Sequence, residues 1–206
     1  MVLKNTLVIY YVKYFLQRED LVTTFMTLGM LGNIAGCACA QFVAARVDKV
    51  KAYIALQLLA ALLCAAGFWV GSSQWQLAIV LHIAWCFFLQ MATPMLWAKM
   101  ADVVDYGQWL TGVRTTGLVY SSVVFFIKLG LAVGGALAGW LLAFYQYQPA
   151  AEQTAVTQQG ILLSFTLLPA LGSVLVAWIM RYYPLHRQQV AQVSADLAAR
   201  EAAVRV

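Results

Sequence analysis

A chain of 206 residues that is 63% hydrophobic and 10% charged is too apolar for an ordinary soluble domain and reads as a polytopic membrane protein. Its net charge of +5 does not point to nucleic acid, because Lys and Arg fall between and after apolar runs rather than in a polar basic patch. Cys37, Cys39, Cys64 and Cys86 lie inside apolar runs, where cysteine acts as a small hydrophobe, so neither a disulfide nor a metal site is expected.

The first apolar segment, Met1 to Leu16, is short for a span and starts without a flanking loop. It reads as a transmembrane helix whose first turn or more is absent, with Lys4 and Lys13 snorkelling to opposite interfaces. No small-residue cleavage site follows it, so no cleavable signal peptide is expected. After a tight polar turn at Arg18-Glu19-Asp20, a second span runs from Leu21 to Ala45 with Gly29, Gly32, Gly36 and Ala40 along it. A basic loop, Arg46 to Lys51, leads to a third span from Ala52 to Gly71. An uncharged turn from Ser72 to Gln76 leads to a fourth, from Leu77 to about Met100, containing His82, Gln90, Thr93 and Pro94.

The fifth span is the one with an anomaly. Thr116 to about Phe144 is long enough to cross a bilayer core of about 30 Å, and Lys128 interrupts its apolar run. Counted from Thr116 at about 1.5 Å per residue, Lys128 lies roughly 18 Å in, near the midplane. A lysine there costs about 2.5–3.5 kcal/mol, so it is expected to face a polar cavity or a partner rather than lipid. A polar loop from Tyr145 to Gln159 precedes a sixth span, Gly160 to about Tyr183, and a polar tail follows Pro184. Residues 1–183 thus form a six-helix bundle, and 184–206 a helical tail resting on one face. Val190, Val193, Leu197 and Val204 supply its apolar spacing.

Counting Lys and Arg orients the bundle. The Arg46–Lys51 loop, the Lys99–Arg114 segment and the tail carry most of the non-helical basic charge, whereas the opposite side has only Arg18 in its turns. Both termini are therefore expected in the cytoplasm.

Enzyme templates fit poorly. His82 and His186 are the only histidines, the spans hold no acid to complete a triad, and neither a phosphate-cradling loop nor a zinc signature occurs. His82 is expected to make an interhelical hydrogen bond. Gly130, Gly134 and Ala138, and likewise Gly135 and Gly139, are spaced by four and predict close helix packing. Ser121 and Phe125 share a helix face with Lys128, and a hydroxyl and a ring beside a cation suit a sugar. Asp102, Asp105 and Arg114 flank the turn between the fourth and fifth spans, either as a solvated loop or as a salt-bridge latch on one access state.

Read together, A-D-V-V-D-Y-G-Q-W-L-T-G-V-R-T-T-G-L, F-F-I-K-L-G-L-A-V-G-G-A-L-A-G-W and the upstream Y-Y-V-K-Y resemble the glycoside–pentoside–hexuronide:cation symporters of the major facilitator superfamily. The resemblance covers Asn5 to Tyr183 and implies the carboxyl-terminal half of a twelve-helix carrier. It implies that Lys128 is the helix-eleven lysine of substrate and cation handling, and that Asp102, Asp105 and Arg114 form the cytoplasmic charge network. Thr93 stands where the melibiose branch has an aromatic residue, with Trp97 one turn away as the nearest substitute. The implied substrate is a sugar or glycoside, co-transported with Na⁺ or H⁺ and no further cofactor. The implied setting is a bacterial inner membrane, and the implied partner is the missing amino-terminal half or, less favourably, a second copy. The competing reading is a six-helix scaffold or accessory subunit that binds other membrane proteins.

Overall fold

The computed structural model describes residues 1–149 and 151–204; positions 205 and 206 of the expected tail, and Ala150 in the polar loop, lie outside it. The side chains of Glu201, Ala203 and Val204 are likewise outside the described set. Among the described residues the regular structure is helical: α1 (Val2–Tyr10), α2 (Val22–Arg46), α3 (Lys49–Ala66), α4 (Trp75–Thr111), α5 (Thr116–Phe144), α6 (Ala155–Phe165), α7 (Leu167–Met180) and α8 (Arg187–Val204). Five stretches, Glu19–Arg46, Lys49–Trp69, Trp75–Thr111, Thr116–Phe144 and Ala155–Met180, are long and apolar enough to cross a membrane. The chain is a multi-pass membrane protein. The first expected span falls short of crossing alone: α1 widens into a π-helical turn over Tyr11–Phe15 and ends at Gln17, whose φ is 54°.

Helix association in lipid depends on close backbone packing rather than water exclusion, and the glycines of α2 provide it. Gly29, Gly32, Gly36 and Ala40 are all buried. A methyl group added at Gly32 would sit 2.8 Å from the Ile83 carbonyl oxygen, and one at Gly36 would meet the backbone of Phe87. These absent side chains let α2 lie along α4, whose other flank receives α3. The expected ladder on α5 behaves differently. Gly134 closes on Val2 and Ala138 is buried, but Gly130, Gly135 and Gly139 face open space.

Two predicted boundaries move. α4 was expected to stop near Met100 because Asp102, Asp105 and Gly107 resemble a turn; it continues to Thr111 and ends where Gly112 takes φ 75°. Asp and Gly each cost at most about 1 kcal/mol in a helix interior, and packing outweighs that. Val104 is buried, and Trp109 donates to Asp196 of α8 at 2.9 Å. At 37 residues α4 is about 55 Å long, so its last turns project beyond the bilayer core.

The sixth span is the second change, because it breaks at Thr166 into α6 and α7. Pro169 has no N–H to give to the carbonyl four residues earlier, Phe165 O, and that oxygen instead lies 3.7 Å from the Cys64 thiol.

Among the described residues the core forms three apolar clusters. One surrounds Tyr11, Phe25, Ile161 and Phe165; one surrounds Ala60, Cys64 and Trp85; the third, towards the basic end, surrounds Tyr53, Met91 and Met95. α1 runs into the first and touches α5 and α6. α5 lies at the edge of the bundle, with Ala138 its one buried residue.

Candidate functional site

The residues expected to hold a sugar are not gathered in one cavity. Lys128 is exposed on the outer face of α5, and among the described residues it makes no hydrogen bond or ion pair. Phe125 is 61% exposed beside it, and Ser121 turns its hydroxyl back to the Leu118 carbonyl at 3.1 Å. Thr93 lines a separate cleft of about 400 Å³ between α3, α4 and α7, and Trp97 is exposed. Lys128 was expected to face a polar cavity or a partner; the described helices leave its face uncovered.

An ammonium buried among the spans is found at Lys4 instead. It is 4% exposed, with Nζ 4.5 Å from the ring centroid of Trp85, 4.4 Å from that of Phe165 and 3.2 Å from Cys64 Sγ. These groups come from α1, α4, α6 and α3, so the lysine ties four helices together. No carboxylate lies within ion-pair distance of it among the described residues. Aromatic faces carry partial negative charge, and at about 0.5–2 kcal/mol each two of them take over part of a counter-ion's role. Lys4 does not snorkel. Lys13 does reach out, donating to Glu19 at 2.6 Å.

His82 lies next to this cage, 6.1 Å from both the Trp85 and Phe165 rings and 5.2 Å from Phe25. Its expected interhelical hydrogen bond is absent among the described residues. Nε2 is 3.8 Å from Cys86 Sγ on its own helix, and Nδ1 has no partner. At this level α2 offers Gly29, which has no side chain to donate or accept with and whose backbone groups lie within the helix.

The other side of His82 opens on a cleft of about 300 Å³ between α1, α2 and α4. Asn5, Thr27, Asn33 and His82 line it together with Met26 and Met30. Thr27, Met30 and Asn33 fall at i, i+3 and i+6, so α2 presents them on one face. Two amides, a hydroxyl and an imidazole over thioether walls can bond a neutral polyhydroxy ligand while covering its apolar side. The signal for this cleft was an uncharged amide in each of the first two spans, passed over because neither carries charge.

At the basic end the expected charge network divides into two pairs. Arg114 bridges Asp105 at 2.8 Å and Gln108 at 2.7 Å, while Asp102 pairs with Lys49 of α3 at 3.2 Å. Lys49, outside the predicted trio, links α3 to α4. Asp48 caps α3 through the N–H groups of Val50 and Lys51 and also accepts from Arg187 N at 2.9 Å. Partial burial pushes its carboxyl up, but the Arg187, Lys51 and Val50 donors outweigh that and hold it below the usual aspartate range. One carboxylate thus organises the start of α3 and the start of the tail.

Residues 1–187 match the family described as MFS/sugar transport protein. The chain belongs to this family. Its relatives include the putative glycoside/cation symporter YagG of Escherichia coli K12, 33% identical over 150 residues that cover 73% of this chain and 33% of that protein. The inner membrane symporter YicJ of the same organism is 35% identical over 159 residues, 77% of this chain and 35% of its own length. An uncharacterized 29.9 kDa protein of Pseudescherichia vulneris is 31% identical over 186 residues, 90% of this chain and 68% of that protein. The chain spans about a third of the length of the two symporters. No solved structure matches it. The resemblance carried by the Asp102–Lys128 block and the Y-Y-V-K-Y segment thus holds at the level of family.

Proposed function

We propose that this chain is the carboxyl-terminal six-helix half of a sugar:cation symporter and transports only when paired with an amino-terminal half. The observation that carries the reading is the family match over residues 1–187 in a chain whose matched part covers about a third of its symporter relatives' length. Carriers of this kind work by rocking two bundles about a site held between them.

The sugar would be bonded by Asn5, Thr27, Asn33 and His82 on one side. Lys128, Phe125 and Ser121 would face it or the partner bundle from α5. Lys128 lies exposed on α5, and an ammonium midway along an apolar helix requires cover from outside it. The membrane-depth parts of the helices carry no acid, so Na⁺ or H⁺ would be held by the partner's carboxylates. Asp102–Lys49 and Asp105–Arg114 would latch the cytoplasmic side of an inner-membrane protein, with both termini in the cytoplasm, a placement that the basic loops support.

The test is co-expression with an amino-terminal half from a family symporter, scored as ion-driven glycoside uptake. Uptake is expected only from the pair, and Asn33→Ala should weaken apparent affinity about two- to tenfold, the worth of one hydrogen bond. Equal uptake by this chain alone would overturn the half-carrier reading.

A further inference from the structure

At the basic end, the α2–α3 turn, α4 and the start of the tail enclose a cavity of about 290 Å³. Asp48, Lys49, Lys99, Asp102 and Arg187 line it. Both acids are already engaged, Asp48 by three backbone N–H groups and Asp102 by the Lys49 ammonium. The Lys99 ammonium is not. Lys99 is 3% exposed and its Nζ has no hydrogen-bond partner among the described residues, only the ring faces of Tyr53 at 4.7 Å and Tyr183 at 5.3 Å. The guanidinium of Arg187 likewise has no partner among them. The cavity therefore holds positive charge in excess.

Ala44 and Lys49 also line a second hollow, an apolar groove of about 330 Å³. It runs between α2 and α4 past Ala40 and Cys37 on one wall and Ala98 and Pro94 on the other. From Ala44 to Cys37 the groove rises about 10 Å along α2, away from the charged end and into the spanning part of the helix. A cationic pocket that shares its Ala44 and Lys49 wall with an apolar trough entering the bilayer matches an amphiphile with a negative head.

We propose that the cavity and groove together bind one anionic phospholipid, with its phosphodiester beside Lys99, Lys49 and Arg187 and an acyl chain in the Ala44–Cys37 trough. A single negative charge fits better than a phosphate dianion, because the Asp48 and Asp102 oxygens share the cavity wall. Basic pockets between spans at a membrane surface bind anionic headgroups by this combination of charge and depth. The tail closes the site through Leu185, Arg187 and Val190, so bound lipid also pins the start of α8.

The experiment places the 206-residue chain in nanodiscs of phosphatidylcholine, with or without roughly one third phosphatidylglycerol, and records thermal unfolding and retained anionic lipid. Phosphatidylglycerol is expected to raise the unfolding temperature of the unaltered chain and of Lys99→Arg. Lys99→Gln should retain about tenfold less of that lipid, the worth of one charge-assisted contact. Ala44→Phe, which keeps every charge but plugs the trough, should lose the effect too. Inorganic phosphate added to phosphatidylcholine discs should change nothing. The proposal is overturned if Lys99→Gln and Ala44→Phe respond like the unaltered chain, or if inorganic phosphate protects as well as the lipid does. Should Lys99→Gln fail to fold, Ala44→Phe and the phosphate comparison still decide it.

Discussion

Replacing Lys4 by methionine keeps the reach of the side chain and removes its charge, which separates what the ammonium costs from what its cage returns. An ammonium at membrane depth costs about 2.5–3.5 kcal/mol. The ring faces of Trp85 and Phe165, at 4.5 and 4.4 Å, return about 1 kcal/mol each, and the Cys64 contact adds a little. Charge and cage therefore come close to balance. Methionine forfeits the cation contacts but gains sulfur–aromatic contacts of about 0.3–1.5 kcal/mol, so Lys4→Met should match the unaltered chain or exceed it by about 1 kcal/mol. Lys4→Ala is different because it leaves a void among four helices. Cavity formation costs about 2–5 kcal/mol, and relief of the buried charge recovers only part of it, for a net loss of about 1–3 kcal/mol. Equilibrium unfolding in mixed micelles measures both, with Trp85 beside the substituted site as a fluorescent reporter. If Lys4→Met loses about 2 kcal/mol or more, as much as alanine, the ammonium is itself a net source of stability and the balance above is wrong.

The two glycine ladders should respond oppositely to bulk. Gly36→Val, pressed against the Phe87 backbone, should cost about 1–3 kcal/mol or prevent folding, whereas Gly135→Val, which meets open space, should be tolerated in this chain. Asp48 sets a pH limit on tail docking. Its carboxyl is held below the ordinary value of about 3.9, so its contribution is complete above that pH and lost as pH falls through the lowered folded value. Hydrogen exchange corrected for intrinsic rates should show α8 protected from neutral pH down to about 4 and released below it. Asp48→Ala should weaken docking at neutral pH by about 1 kcal/mol. A release midpoint well above 4 in the unaltered chain would assign the effect to other groups. A double-mutant cycle on Asp105 and Arg114 should give a coupling of only about 0.2–1 kcal/mol, because both partners are partly exposed.

Much of the architecture could be read from apolar runs and the charges that punctuate them. The bounds of α5 were legible because Gly112 to Thr115 and the polar loop after Phe144 flank an apolar run that Lys128 interrupts. α4 was cut short because Asp102, Asp105 and Gly107 have turn chemistry, and only packing of Val104 and Trp109 against other helices overrides it. The break at Thr166 had a visible cause in Pro169, three residues later. The site was harder to read. Lys128 was singled out by its depth and by the resemblance, and depth fixes distance from the membrane surface but not direction around the helix. Lys4 looked peripheral for the same reason, since a position near the start of a segment does not reveal that three neighbouring helices converge there. The charge pairs were half legible: Arg114 and Asp105 are local, whereas Lys49 meets Asp102 only because α3 and α4 lie side by side.

The claim that matters most is that the face of α5 bearing Lys128 is covered by a second six-helix bundle. A photo-crosslinking residue placed at Phe125, 61% exposed on that face, tests it in membranes containing both this chain and an amino-terminal half. Irradiation should join the two chains, and a competing glycoside should alter the yield. Crosslinks to lipid alone, unchanged by the second chain, would contradict the claim and leave α5 an outer, lipid-facing helix.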